Sequence, residues 1–107
     1  MNRLVLDTLK SLNIPISFQK YSGASSTYIT FFEYDQRGEL FADDNEIDTG
    51  HYIQLDIWSK SDYSSIVSNV KSAMISAGFT RLAEADLYED DTKIYHKGMR
   101  FYYQEEV

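Results

Sequence analysis

His51-Tyr52-Ile53-Gln54-Leu55-Asp56-Ile57-Trp58 leads, after three residues, into the segment 62–77, and this pair of segments decides the fold. Ile53, Leu55 and Ile57 fall on one face of a period-two element, with Tyr52, Gln54, Asp56 and Trp58 on the other. One face is therefore core. In 62–77, Tyr63, Ile66, Val67, Val70, Met74 and Ala77 recur at steps of three and four, which is one stripe of a helix. Ser59 or Ser61 is placed to accept from the free amides of the first turn, Asp62 complements the helix dipole, and Gly78 marks the end. The centre of the chain thus reads as a strand tied to a helix that covers its sheet.

Working outward, Asn2 is placed to cap a first helix over 3–12, with Val5, Leu9 and Leu12 on one side and Asn13 and Ile14-Pro15 at its end. Residues 16–21 alternate as a strand and 22–26 are a small-residue loop. The next strand, 27–34, is apolar on both faces, with Ile29 and Phe31 opposite Tyr28, Phe32 and Tyr34. Between it and the central strand, 35–49 is far longer than the roughly two to five residues of an ordinary hairpin connection, so it reads as a mobile loop. Beyond Gly78, 79–88 and 93–104 read as strands joined by a turn at 89–92. The expected class is α+β: a single domain, 1–107, with a mostly antiparallel sheet of about five strands and two helices on it. The order is α-β-β-(long loop)-β-α-β-β, and the short links favour antiparallel pairing.

The chain has 107 residues, 43% of them hydrophobic, enough for one core and too few for two. Its formal charge is −7, from ten Lys and Arg against seventeen Asp and Glu. The cations are scattered, so a phosphate backbone meets net repulsion and sequence-specific nucleic-acid binding is not expected. The absence of cysteine removes disulfides, thiolate nucleophiles and thiolate zinc sites. The first residues turn polar before a signal-peptide core accumulates, and no apolar run approaches a membrane span. The expectation is a protein of the cytoplasm. Aromatic residues reach 15%, a level that suits pleated strands and surfaces that meet another protein.

Motifs for catalysis are thin. Gly23-Ala24-Ser25 starts a nucleophile-elbow pattern, but Thr27 stands where the second glycine belongs. The five glycines are too widely spaced for a phosphate cradle. His51 and His96 lie in strands, and two imidazoles alone do not fill a zinc shell, so both read as structural. Asp43, Asp44, Asn45, Glu46 and Asp48 have the composition of a calcium loop, yet counting from Asp44 the sixth and twelfth positions are Thr49 and Leu55, where glycine and a bidentate glutamate are needed. No catalytic residue, metal or cofactor is expected. What stands out is the long stretch itself: Glu39, Leu40, Phe41, Asp43, Asp44, Glu46 and Ile47 mix acids with apolar residues from which a monomer gains little, and they are the candidate assembly interface. The outermost strands, with few obvious edge blockers, leave amides that pairing between subunits would satisfy.

The order of elements, Tyr52-Ile53-Gln54-Leu55-Asp56-Ile57-Trp58-Ser59 leading into a helix with Val67, Val70, Met74 and Gly78-Phe79, and the closing Lys97-Gly98-Met99-Arg100-Phe101-Tyr102-Tyr103 resemble the small tail-completion proteins of long-tailed phages and prophages of Gram-positive bacteria. The resemblance covers most of the chain and rests mainly on a packing pattern. It implies a structural virion protein that closes the head-proximal end of the tail tube and joins it to the head. Related tail terminators assemble as rings of six. It further implies that the partners are other copies of the chain, the tail-tube protein and the head-tail connector, with DNA meeting it only by passage through a channel. The place of action would be the host cytoplasm during assembly and then the virion tail. No membrane and no cofactor are implied.

Two other readings stay open: a head-side connector of the same neck region, and a small cytoplasmic ligand-binding or enzymatic domain. The last predicts a cleft beside the aromatic strands that gathers polar groups around Tyr or His. An assembly protein predicts a flat apolar patch and a mobile loop.

Overall fold

A computed structural model of the protein describes residues 1–21, 23, 26–42, 45–89 and 94–106, with the side chains of 37–42, 45–47, 87–89 and 106 outside that description. Helix α1 (Asn2–Leu9) runs into a 3-10 turn (Lys10–Leu12) that ends on Asn13 at φ 58°. There follow β1 (Ile16–Phe18), β2 (Thr27–Ala42), β3 (Asn45–Ser59), α2 (Ser64–Ser76), β4 (Thr80–Glu89) and β5 (Ile94–Glu106). The strands form one sheet in the order β1-β2-β3-β5-β4, an α+β arrangement with both helices packed on it.

The face chosen by period-two alternation is the core. Ile53, Leu55 and Ile57 of β3 are fully buried, with Ile29 and Phe31 of β2, Met99 and Phe101 of β5, Val5 and Leu9 of α1, and Val70 and Met74 of α2. Each such side chain contributes about 1.5–3 kcal/mol by leaving water. Helix α2 stops by geometry as well as by sequence. Gly78 sits at φ 103°, its amide bonds to the Ile75 carbonyl, and the Phe79 amide bonds to the Met74 carbonyl, the left-handed closure that glycine adopts most cheaply. Phe79 then enters the core against Phe101 and Tyr103.

Three expectations need correction. First, most of the expected loop 35–49 is strand: residues 35–42 continue β2, residues 45–49 begin β3, and they pair as far as Ala42 opposite Asn45, with 43–44 outside the described residues. Register shifts at Glu33/Asp35, Gly38/Leu40 and Leu40/Phe41 break the alternation that would have revealed a strand. Second, β1 is three residues long and parallel to β2. Gln19 at φ 63° turns the chain back toward the start of β2, and Tyr21 stacks on Tyr28. Third, the caps differ. Helix α1 begins at Asn2 itself with no side-chain cap, and the N-cap of α2 is Tyr63, also without one; Asp62 just before it accepts the Ser64 amide at 3.0 Å and the Ser64 hydroxyl at 2.7 Å through Oδ1. These bonds from Ser64 lower the Asp62 pKa. Ser59 instead accepts the Ser61 amide at 3.2 Å.

The two longest strands carry the sheet past its cover. Strand β1 reaches only Phe31 of β2, and β4 reaches only Tyr102 of β5. Beyond them β2, β3 and β5 continue as a three-stranded arm in which Asp48 pairs Glu106, and the molecule measures 53 × 26 × 23 Å.

Candidate assembly surfaces

The arm holds the candidate interface residues. Glu39, Leu40 and Phe41 lie on β2, and Glu46 and Ile47 lie on β3, with Leu40 opposite Asp48 and Phe41 opposite Glu46. Hairpin pairing thus brings these five together at one end of the molecule. Asp43 and Asp44, and the side chains of the other five, lie outside the described residues. Residues 33–48 and 104–106 contain nine of the seventeen acids and one of the ten Lys and Arg. The acidity of the whole chain is therefore the acidity of its arm.

At the arm's root His51, 4% exposed, joins all three strands. Its Nδ1 meets Glu33 Oε2 of β2, and its Nε2 lies 2.8 Å from Glu105 Oε1 of β5. A carboxylate only accepts, so a ring protonated at both nitrogens donates to both. Sequence reading placed His51 in a strand with a structural role. It did not find the two carboxylates, which lie 18 and 54 residues away.

The sheet face opposite the helices is open. Across it runs a row of stacked rings: Tyr21 on Tyr28 at 4.3 Å, Tyr28 near Trp58 at 6.1 Å, and Trp58 on His96 at 3.8 Å. Toward the arm a second row joins Tyr34, Tyr52 and Tyr102, with the Arg100 guanidinium 4.6 Å from the Tyr34 ring centre. A polar strip separates the rows. Asp56, nearly buried, accepts from Gln54 Nε2 at 3.0 and 3.2 Å and lies 2.6 Å from His96 Nε2. Arg100 donates to Gln54 at 3.1 Å, and Trp58 donates to Thr30 Oγ1 at 3.1 Å. This face is not the flat apolar patch expected of an assembly protein. Alternation placed Tyr52, Gln54, Asp56 and Trp58 on it correctly, but the aromatic rows need the register of three strands and no single segment shows them.

On the helix side a groove of about 720 Å³ opens between α2 and the β4–β5 edge. Glu84 holds it together, with Oε2 2.7 Å from Lys71 Nζ and Oε1 3.1 Å from Lys97 Nζ. The bond from Lys71 lowers the Glu84 pKa against the effect of burial, helped by Lys97. Asp86 is lowered first by the Tyr63 hydroxyl, which donates to it at 2.8 Å, and then by Lys97. Burial, then the Asp86 bond, pushes the Tyr63 hydroxyl up to about 12. For Lys97, burial pulls the amine down, but the bonds to Glu84 and Asp86 outweigh it and the pKa rises. The charges here are matched within the groove, which leaves little to attract a charged ligand. A smaller hollow of about 200 Å³ lies over Gly98, between the Asp56–His96 pair and Arg100. Among the described residues no group of three or more His, Cys, Asp or Glu is placed to hold a metal, and no helix is long and apolar enough to cross a membrane.

No protein-family model matches the sequence, and no curated protein matches it. Among solved structures, the chain is similar to a chain from the virion of a native gene transfer agent particle. The TM-score is 0.62 and the identity 9%, over 94% of this chain and 84% of that one. At that identity the likeness is one of fold, and it extends across nearly the whole chain.

Proposed function

We propose that this protein is a structural virion component that closes the head-proximal end of a phage tail tube and joins tail to head, acting as a ring of subunits. The observation that carries the reading is the shared fold with a chain of a gene transfer agent virion over 94% of the length. Three features are consistent with it. The charges of the groove beside α2 are spent on one another. A narrow arm projects beyond the helix-covered body, as a part that reaches a neighbour or the tube would. The arm concentrates negative charge, which suits a conduit that DNA must slide through without adhering. Its partners on this reading are other copies of the chain, the tail-tube protein and the head-tail connector.

The test is removal of the gene from the phage or prophage that encodes it, followed by electron microscopy of the lysate. The expected result is filled heads beside unattached tails, with joining restored by adding the purified protein. Normal joined particles would overturn the proposal. Finished tails beside heads that have lost their DNA would move the protein to the head-side connector.

A further inference from the structure

The two outer strands of the sheet are not equivalent, and their backbone phase can be worked out. The Ile29 amide donates to the Pro15 carbonyl, so the backbone groups of Ile29 point away from β3. Residues opposite each other in an antiparallel pair either both point at the partner strand or both point away. Ile57, opposite Ile29, therefore points toward β5, and Lys97, opposite Ile57, points toward β3. Asp86, opposite Lys97, then points out of the sheet, as does Glu84 two residues earlier. At the other edge, Pro15 and Gln19 bond to β2, so Ser17 also faces β2 and the amides of Ile16 and Phe18 face outward.

Edges left in this state are usually blunted by charge. On β4 the acids Glu84 and Asp86 turn to the helix side and pair with Lys71, Lys97 and Tyr63. The open-face side of the edge is left to exposed Ala83 and Ala85. Each outer strand also shows a large exposed apolar side chain, Phe18 on β1 at 46% and Leu82 on β4 at 49%. Strand direction matches the two edges. Strand β5 runs parallel to β2 and β1, and β4 runs opposite to them. A second copy rotated about an axis along the strands therefore presents its β1 antiparallel to the first copy's β4.

We infer that β4 of one copy pairs with β1 of the next, so that the sheet continues from subunit to subunit and every arm projects from the same side of the ring. This rests on the ring proposed above and names the surface that closes it. Opposite β1, the outward amides of Glu84 and Asp86 find acceptors, and Ser17 stands across from Ala83 or Ala85. Both of those alternatives are non-hydrogen-bonded positions, where side chains come closest.

The protein has no cysteine, so engineered cross-links read without background. The test uses Ser17→Cys combined with Ala83→Cys or with Ala85→Cys, oxidised in the full chain at high concentration and on isolated tail tubes. Reduced samples serve as the folding control by circular dichroism. Hydrogen exchange on the wild-type protein runs in parallel. The expected result is a covalent ladder from one double variant and none from the single variants. The expected exchange result is at least tenfold slowing at the amides of Glu84 and Asp86 on assembly, with Ala85 unchanged. Rings seen by microscopy without cross-linking or protection would overturn the β4–β1 contact and leave the ring standing. Dimers from Ala83→Cys or Ala85→Cys alone would replace it with a β4–β4 contact. Absence of rings, ladder and protection together would overturn both.

Discussion

The helix-covered body and the three-stranded arm share β2, β3 and β5, yet they are held together by different means. In the body, alternate residues of these strands are buried under α1 and α2. In the arm the same strands run on, joined by their backbone ladder and by His51 between Glu33 and Glu105. Burial of apolar surface is the larger force, so the body should fold without the arm, whereas the arm needs the body to hold its three strands in register. Stability and function then separate in space, and substitutions should sort by region.

The largest effect belongs to the body. Phe31→Ala or Phe101→Ala removes a fully buried ring from the centre of the sheet and is expected to cost about 3–5 kcal/mol, read as a fall in the urea midpoint. A loss below about 1 kcal/mol would mean that the helices do not seal this face. Next comes Gly78→Ala. It forces a side chain into φ 103° and sets its Cβ 3.3 Å from the Tyr103 ring, for an expected loss of about 1–2 kcal/mol by the same measurement. His51→Gln probes the boundary between the regions. Leaving Glu33 under-partnered beside a buried site should cost about 1–3 kcal/mol. Hydrogen exchange should rise in residues 33–36 and 103–105 more than in the body, and uniform loosening would show that the arm and body form one cooperative unit.

How much of this was legible in the sequence follows from the same division. Where one face is buried, alternation and helical spacing read correctly: Ile53, Leu55 and Ile57 point to the core, Val70 and Met74 cover them, and Gly78 ends α2. In residues 35–49 three register shifts scramble the alternation, so the paired ends of β2 and β3 looked like a loop. Strand β1 failed for a related reason. Its parallel pairing depends on a turn at Gln19 that no glycine announces. The candidate interface residues were read from composition, and pairing brings Glu39, Leu40, Phe41, Glu46 and Ile47 to the arm's end. The aromatic rows and the Lys71–Glu84–Lys97 contacts arise between segments far apart in the chain, where a single-segment reading has no purchase.

The groove beside α2 gives a smaller effect with a defined sign. Glu84 and Asp86 are lowered in the folded protein, so their contribution is present above the ordinary carboxylate range and lost as pH falls through their folded values. Lys97 is raised, so its contribution is present below its ordinary 10.5 and lost as pH climbs through its folded value. Lys97→Met should therefore flatten the stability profile at both ends while changing neutral stability modestly. An acid limb identical to that of the wild type would show that these pairs are too well solvated to matter.

The smallest effect on stability should come from the change expected to matter most for assembly. Excising residues 39–47 and inserting Asn-Gly before Asp48, as a three-residue hairpin loop, leaves the core and the pairing of Gly38 with Thr49 in place. The expected shift in unfolding free energy is within about 0.5 kcal/mol. In the joining assay the same variant should be inactive, because the end of the arm is gone while the body persists. If joining proceeds normally, the arm is dispensable and contacts must be sought on the sheet edges or the open aromatic face. If the variant unfolds, the hairpin end contributes to the core's stability and the division between body and arm fails. A folded variant that cannot join heads to tails is the one outcome that places stability in the body and assembly in the arm.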